Sequence, residues 1–394
     1  MRRRGVLAGS AALLAPAIVR AQPLAPVRLG VLGDVGGMGA ATSGPPVIAA
    51  VQLAIGDSGH LAGGREVAVL AETFRGRPDD ALAIARRWLV QDQVTAILDV
   101  PGTTAAIEVQ ALAARLDRAL LNTGSVLADL TEELCSVVAT AWGDDVRAMA
   151  GAMARAAAQD GRRDWFLIHL DGVLSTLVQR EASRAIQAAG GRVVGVSRRP
   201  EGAADFAPAL AQARASGAAM IGLCDAGDTL GALLAQAHEA PAGATQTMAA
   251  FLGTLMDARR LGSAAEGMWL ARSFYWNDSD FTRGFARRFL AMTGRMPDAS
   301  HAAAFVATRH LLRAIAAGEG LDGVALNRVM QRVPAFVFGP SVRLSADGRV
   351  PRDMGVFRVR PAGVSEWDVL HRIATIPAGE LYTVRATARC SRPG

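Results

Sequence analysis

Short apolar runs alternate along the chain with longer segments in which apolar residues recur every three or four positions. Short runs rich in β-branched residues predict buried strands, and the longer spacing predicts helices with one buried face. In the first third of the chain the predicted strands are 27–32, 66–72, 94–100 and 119–121, and the predicted helices are 47–55, 79–91 and 105–115. This alternation is typical of a parallel sheet covered by helices.

A second series of the same kind begins after Trp142 and predicts a second lobe of similar size. Its predicted strands are 164–170, 193–197, 219–224 and 247–251, and its predicted helices are 174–189, 206–215 and 229–239. From Trp276 the pattern changes to three helices at 278–293, 300–317 and 321–333. Strands at 336–346 and 354–359 and an extended stretch at 367–376 complete the expected order. The sequence therefore predicts an α/β protein with two Rossmann-like lobes.

The stretch 94–115 is the clearest β-turn-α unit of the chain. Its strand ends at Pro101-Gly102, and Thr103 and Thr104 follow just before the helix. The first amide groups of a helix lack partners within it and carry partial positive charge, so a small anion fits there. The threonines could cap the helix and still offer hydroxyls, while Gly102 lets a ligand approach the backbone. An ordinary capped helix without a ligand is the alternative.

Other polar or aromatic residues follow strands, where open α/β sheets bind ligands. In the first lobe these are Thr123, Gly124 and Ser125, which form a polar turn after 119–121. In the second lobe Asp171 and Asp225 follow predicted strands. Tyr275 lies at an expected crossover between the lobes. Each of these residues taken singly is compatible with a solvated turn, but together they indicate two facing edges.

The motifs of common enzymes and cofactor sites are missing from the sequence. The glycines between Gly33 and Gly39 follow a strand, but their spacing departs from that of a dinucleotide-binding turn, and Glu72 lies too far along the chain. The six histidines are isolated, and three cysteines are too few for a zinc or iron-sulfur site. We therefore expect no catalytic set, no cofactor and no metal.

The first 21 residues have the features of a signal peptide. Arg2-Arg3-Arg4 precede an apolar run over 5–19, and Val19-Arg20-Ala21 offers small residues for cleavage. The paired arginines favour the twin-arginine route over the general one. The run is too short to span a bilayer, so we expect a soluble mature protein outside the cytoplasm.

Charge changes the picture little once this segment is removed. The chain has no lysine, and without the four arginines of residues 1–21 only 38 basic residues stand against 36 acidic ones. The remaining arginines are scattered, and few aromatic residues lie between them. This distribution argues against nucleic acid as a partner.

An oxidising compartment permits one disulfide among the three cysteines. Cys224 ends an apolar run and is expected to be a buried strand residue. Cys135 and Cys390 lie in polar, irregular sequence, and we expect them to form the bridge.

Taken in order, the segments resemble the periplasmic substrate-binding proteins of ABC importers, in the branched-chain amino acid (leucine/isoleucine/valine) group. The resemblance covers nearly the whole mature length. It is carried by VRLGVL (27–32), ALAIARRWL (81–89), VTAILDV (94–100), AAGGRVV (188–194), ADFAPAL (204–210), FYWND (274–278), GRMPD (294–298) and FGPSVRLSADGR (338–349). The FYWND segment, Asp99-Val-Pro and the positions of Cys135 and Cys390 are similar to a branch that binds aromatic and other small organic acids.

The resemblance implies a type I periplasmic binding protein fold with a three-segment hinge. The lobes would be residues 22–141 with 272–350 and residues 142–271 with 351–378, followed by a tail at 379–394. Ligand carboxylates would meet Gly102 to Thr104 and Thr123 to Ser125, and the crossover at Trp142 would line the cleft. Where relatives tend to carry an aromatic residue this chain has Asp171-Gly172-Val173-Leu174, which argues against an aromatic ligand. Asp225 stands where the nearer branch often has asparagine, and the two extra carboxylates favour a ligand with an amino group or several hydroxyls.

These observations predict a monomeric receptor that binds a small carboxylate or zwitterion and delivers it to an ABC permease without catalysis. Asp171 or Asp225 would hold an ammonium group of the solute. Two alternatives remain open at this point. One is an exported nucleotide-dependent oxidoreductase, and the other is a ligand-sensing partner of a signalling receptor.

Overall fold

The computed structural model describes residues 24–36, 42–239, 246–361 and 365–382. The predicted signal peptide and Cys390 lie outside these residues. Within them the chain forms two α/β lobes, each built on its own sheet.

The first lobe begins with a six-stranded sheet in the order β2-β3-β1-β4-β5-β6. Its strands are β1 (Val27–Gly33), β2 (Leu61–Ala62), β3 (Arg65–Thr73), β4 (Ala96–Asp99), β5 (Ala119–Asn122) and β6 (Ala139–Ala141). All pairs are parallel except β2 with β3. The helices between them are α1 (Pro45–Asp57), α2 (Pro78–Val90) and α3 (Thr103–Arg115). Trp88 of α2 is fully buried against Gly30 of β1, where a Cβ atom would lie 2.5 Å from the indole ring.

The second lobe follows without a break. Its elements are α4 (Val146–Gln159), β7 (Asp164–Leu170), α5 (Val173–Ala188), β8 (Arg192–Arg199), α6 (Ala207–Ala215), β9 (Met220–Leu223), α7 (Gly227–Glu239), β10 (Thr247–Ala250), α8 (Leu255–Leu261) and β11 (Trp269–Arg272). The parallel part of its sheet has the order β11-β10-β9-β7-β8.

The chain then returns to the first lobe and crosses once more. The elements are α9 (Asp280–Thr293), α10 (Ala299–Ala316), α11 (Gly323–Arg332), β12 (Ala335–Phe336), β13 (Ser341–Val342), β14 (Met354–Val359), β15 (Leu370–Ile376) and α12 (Ala378–Leu381). Helices α9 to α11 share a core with α1 and the first sheet. Strands β14 and β15 extend the second sheet in antiparallel fashion, so this sheet is not wholly parallel as the sequence predicted.

Two further differences from the sequence pattern are an interrupted strand and a set of elements that were not predicted. Residues 336–346 are not one strand but contain β13 of a small antiparallel hairpin with β12. Strands β6 and β11 and helices α4 and α8 were not predicted. The two strands have only three and four residues, too few for an apolar period to emerge.

The two sheets are joined by three connections: between β6 and α4, between β11 and α9, and between Arg349 and β14. Arg349 still pairs with Ala141 at the edge of the first sheet, whereas β14 belongs to the second. The residue boundaries predicted for the lobes stay a prediction, since the sheets alone do not fix where each lobe ends. Within the described residues no helix has both the length and the apolar character needed to cross a bilayer.

Candidate functional site

A cavity of about 600 Å³ lies between the lobes, at the carboxyl ends of their parallel strands. Its walls include the starts of α2, α3 and α10 from the first lobe and the starts of α5, α7 and α8 from the second. Helix starts carry partial positive charge and amide donors, so this arrangement suits an anionic solute.

The first wall contains the turn from β4 to α3. Asp99, Val100 and Gly102 all have positive φ, at 78°, 59° and 88°. This unusual backbone brings α3 to the cavity with Gly102 as its N-cap residue and no side-chain cap. The first amide bonded within the helix is that of Ala106, which donates to Gly102 O at 3.1 Å. The amides of the preceding turn therefore have no partner within the helix.

Thr103 and Thr104 line the cavity at this helix start, next to Gly102. The sequence left open that they cap α3, and the structure shows that they do not: they are its first two helical residues. Their hydroxyls and the uncapped amides thus lie together at one end of the helix.

The turn after β5 forms the adjoining part of this wall. Thr123, Gly124 and Ser125 all line the cavity. The amide of Ser125 donates to Asn122 Oδ1 at 3.0 Å, so it is already engaged within the turn. The hydroxyl oxygen of Ser125 accepts from Leu127 N at 3.3 Å, which leaves its hydrogen for another acceptor.

Asp99 lies directly behind this wall and is fully buried. Its Oδ2 accepts from the hydroxyl of Ser43 at 2.6 Å, and its Oδ1 accepts from that of Thr123 at 3.2 Å. The pKa of Asp99 is raised to about 7, chiefly by burial and to a smaller extent by the charge of Asp34. The two hydrogen bonds oppose this rise. The carboxyl is thus poised between its two protonation states near neutral pH.

The second wall contains an aliphatic part formed by Leu170, Val173, Leu174 and Leu252 beside its polar residues. Helix α5 also begins here without a side-chain cap, because its N-cap residue is Gly172. Its first internal bond runs from Thr176 N to Gly172 O at 2.9 Å. The cavity therefore has an uncapped helix start on each side.

The two carboxylates predicted for the second lobe do not line the cavity. Asp171 is exposed and forms an ion pair with Arg198. Asp225 is buried behind the wall, where it accepts from Ser175 Oγ at 2.5 Å and from Leu170 N. Burial raises the pKa of Asp225. Asp225 thus orders the start of α5 instead of facing the cavity.

Trp142 and Tyr275 also lie away from the cavity wall. Trp142 is buried in the first lobe, and its indole Nε1 donates to Thr140 Oγ1 at 2.8 Å. The hydroxyl of Tyr275 donates to Asp368 Oδ1 at 2.6 Å within the second-lobe core. Both aromatic residues are buried near the connections between the lobes.

Arg272, the last residue of β11, lines the cavity and was not predicted. Its guanidinium donates to Leu252 O at 2.9 Å and Ala271 O at 3.0 Å, and its Nε lies 3.9 Å from Asp298 Oδ1. Among the described lining residues it is the basic one beside five acidic ones: Asp34, Asp144, Glu201, Asp257 and Asp298. The apolar run 268–271 ending in an arginine was the signal in the sequence.

At least four of these acidic residues have partners within the structure, and one of them is Asp34, whose Oδ1 accepts from Gly36 N at 2.9 Å. Asp298 caps α10 and accepts from Ala299 N at 2.7 Å and Leu255 N at 2.9 Å. Asp257 forms a capping box with Thr254. Asp144 accepts from Ser273 and Arg352. Helix starts therefore stabilise the charges of Asp257 and Asp298, and donors from the connections between the lobes stabilise that of Asp144.

Neither of the two described cysteines lines the cavity. Cys224 is a free, buried thiol, and burial raises its pKa. Cys135 is not free, but Cys390 lies outside the described residues, so the pairing of these two stays a prediction. The described residues contain no cluster of three or more histidine, cysteine or acidic side chains able to hold a metal.

The chain is similar to periplasmic binding proteins in both sequence and fold. Residues 26–364 match the family described as periplasmic binding protein. A periplasmic binding protein from Burkholderia mallei is 26% identical with a TM-score of 0.85, and the match covers 93% of this chain and 98% of that one. A branched chain amino acid ABC transporter periplasmic ligand-binding protein from Burkholderia xenovorans LB400 is 30% identical with a TM-score of 0.84, covering 90% and 96%.

A more distant structure shares the fold. The solute binding protein of an ABC transporter from Rhodopseudomonas palustris BisB5, in complex with 3,4-dihydroxy benzoic acid, is 17% identical with a TM-score of 0.77, and the match covers 90% of this chain and 98% of that one. Among curated proteins no sequence matches this chain.

Proposed function

Because the chain belongs to the periplasmic binding protein family of ABC transporters, we propose that it is an extracytoplasmic receptor for a small carboxylate-bearing solute. It delivers the solute to an ABC permease unaltered and acts as a monomer. Proteins of this family are substrate-binding receptors, and the absence of catalysis in this chain is part of the proposal.

The observation that carries the proposal is the pairing of two uncapped helix starts across one cavity. Helix α3 presents Gly102, Thr103 and Thr104 from the first lobe, and α5 presents Gly172 from the second. An anion held between them contacts both lobes and so favours the closed arrangement of the hinge.

The binding free energy that such a receptor requires is modest. A micromolar dissociation constant corresponds to about −8 kcal/mol. A few charge-assisted hydrogen bonds at the start of α3, with aliphatic contacts from the second wall, supply an interaction of this order. The hydroxyls of Thr103, Thr104 and Ser125 and the amides of the first turn of α3 are the proposed donors.

The chemistry of the walls narrows the solute. Asp171, which the sequence suggested as an ammonium acceptor, is paired with Arg198 outside the cavity, and Asp225 is buried behind the wall, so neither contacts a solute in this cavity. One relative is named as a branched chain amino acid ABC transporter periplasmic ligand-binding protein, and a distant structure holds 3,4-dihydroxy benzoic acid; both classes of molecule carry a carboxyl group. We propose an amino acid or a related organic acid whose carboxylate occupies the first wall.

Replacing both Thr103 and Thr104 with valine tests the placement. The double variant removes two hydroxyls but keeps side-chain volume and backbone amides. We expect it to abolish calorimetric binding of a carboxylate selected by thermal shift from a panel of amino acids and aromatic acids. The matched control is Thr375→Val, which replaces an exposed threonine of β15 that does not line the cavity. Unchanged affinity in the double variant refutes the placement at α3.

Export is a second part of the proposal. We propose that residues 1–21 form a cleavable signal peptide that favours the twin-arginine route. Replacing Arg2, Arg3 and Arg4 with lysine keeps the charge and is expected to block that route while leaving the general one open. Periplasmic fractions from cells expressing each form give the result, and undiminished export of the lysine variant contradicts the twin-arginine assignment.

A further inference from the structure

The buried carboxyl group of Asp99 lies directly behind the residues proposed to hold the solute. A Cβ atom on Gly124 would lie 2.4 Å from Asp99 Oδ1, so this oxygen packs against the backbone of a cavity-lining residue. The hydroxyl of Thr123, another lining residue, bonds to the same oxygen. Asp99 is therefore connected to the cavity through the two residues that separate it from the solute.

The direction of the hydrogen bonds depends on the charge of Asp99. An ionised carboxylate only accepts, so Ser43 and Thr123 must both donate to it. Ser43 is consistent with this role, because its oxygen already accepts from Asp34 N at 2.9 Å. The hydroxyl of Thr123 has a single hydrogen, and while Asp99 is ionised that hydrogen points away from the cavity.

Protonation of Asp99 reverses this arrangement. The carboxyl then donates one hydrogen bond itself, and Thr123 is free to turn its hydrogen toward an anion in the cavity. Protonation also removes a negative charge from just behind the site where a second one would bind. Both effects favour a carboxylate over a neutral or cationic solute.

We propose that Asp99 acts as a positioning residue that couples capture of a carboxylate to uptake of one proton, through the hydroxyl of Thr123. This inference rests on the proposed function, since it concerns the same wall of the cavity. It assigns a role to a residue that the solute never touches.

The surroundings of Asp99 support this coupling. Ser43 faces it from the loop before α1, Thr123 and Gly124 face it from the turn after β5, and the charge of Asp34 acts on it from the end of β1. None of these neighbours is a cation that would hold Asp99 ionised. With a pKa of about 7, the free protein holds both forms near neutral pH, and a bound anion shifts the population toward the protonated one.

Calorimetry with two probes, leucine and 3,4-dihydroxybenzoate, tests the proposal. Titrations at pH 7.5 in two buffers of different ionisation enthalpy report the protons taken up on binding, and we expect a fractional uptake that approaches one at higher pH. The dissociation constant should be about tenfold larger at pH 8 than at pH 6, because the protonated fraction of Asp99 falls about tenfold over that range.

Asp99→Asn gives the decisive comparison, because its amide is a permanent donor and does not titrate. Its dissociation constant should stay flat between pH 6 and pH 8, near the wild-type value at pH 6. The control Asp171→Asn replaces an exposed carboxylate outside the cavity, and its dissociation constant should still change tenfold between pH 6 and pH 8. If Asp99→Asn does not fold, Thr123→Val removes the connecting hydroxyl and should reduce the pH dependence to the part that arises from the charge of Asp99.

The outcomes separate this inference from the proposed function. Tight binding of either probe with no proton uptake and a flat wild-type profile overturns the role of Asp99 and leaves the receptor intact. Failure of both probes to bind at either pH removes the carboxylate from the proposed function, and the coupling falls with it. Infrared detection of the protonated carboxyl in the free protein at pH 6, lost in Asp99→Asn, supports the coupling independently, and its absence overturns it.

Discussion

Asp144 holds Ser273 through both of the donors of that residue. Its Oδ2 accepts from the backbone amide of Ser273 at 3.1 Å, and its Oδ1 accepts from the hydroxyl. Arg352 lies 3.4 Å from the same Oδ1 and also donates to Trp142 O at 2.5 Å. These residues belong to the three different connections between the lobes, so one buried carboxylate at the edge of the cavity ties all three together.

Replacing Asp144 with asparagine should therefore weaken the hinge. The variant leaves Arg352 without its buried counter-charge and offers a single acceptor oxygen where two are used. We expect a loss of about 2–4 kcal/mol in the free energy of unfolding, measured by urea denaturation. Asp171→Asn breaks only an exposed ion pair and should cost no more than about 1 kcal/mol. Equal stabilities of the two variants would argue against the tie.

Two glycines of the first wall should respond differently to alanine. At Gly124 a Cβ atom would meet Asp99 Oδ1 at 2.4 Å and Pro101 N at 3.0 Å, which forces the wall apart. At Gly102 there is open space, but φ is +88°. We expect Gly124→Ala to cost about 2–3 kcal/mol and Gly102→Ala about 1 kcal/mol in urea denaturation. The reverse order would show that backbone strain, not crowding, governs this wall.

His301 should make the protein sensitive to acid. Its Nδ1 accepts from Asp298 N at 2.8 Å at the start of α10, and burial, with the charge of Arg295, lowers its pKa to about 3. The unfolded chain binds this proton near pH 6.5, whereas the folded protein binds it only near pH 3. Acidification between these values therefore favours unfolding, by roughly 1.4 kcal/mol per pH unit from this residue.

The variant His301→Gln isolates that contribution. Glutamine can accept the same capping bond but does not titrate. Its free energy of unfolding should fall less steeply than that of the wild type from pH 6 to pH 4, with little difference at pH 8. Parallel curves for the two proteins would assign the acid sensitivity to other residues.

Thiol counting should distinguish the three cysteines. Cys224 is buried and its pKa is raised, so it should not react with a thiol reagent in the folded protein. After unfolding without reductant we expect about one reactive thiol per chain, and after reduction all three cysteines of the sequence. Three reactive thiols before reduction would disprove the pairing of Cys135 with Cys390.

The regular part of the fold was predictable because it is encoded locally. The strands that became β1, β4, β7 and β9 are buried apolar runs, and α2 and α5 show one buried face each. The turn at Gly102 to Thr104 and that at Thr123 to Ser125 were identified as candidates for the same reason, since both follow such strands. Whether they bind a solute is still a proposal.

Most of the long strands and helices, and their arrangement in two parallel-dominated lobes, followed from the apolar pattern of the chain. Only the tertiary structure decided which polar residues meet. It turned Asp171 outward, placed Asp225 and Trp142 behind the walls, and brought Arg272 to the cavity at the end of the four-residue strand β11. Periodicity records which face of an element is buried, but the partner of a buried polar group is set by contacts between residues far apart in the chain.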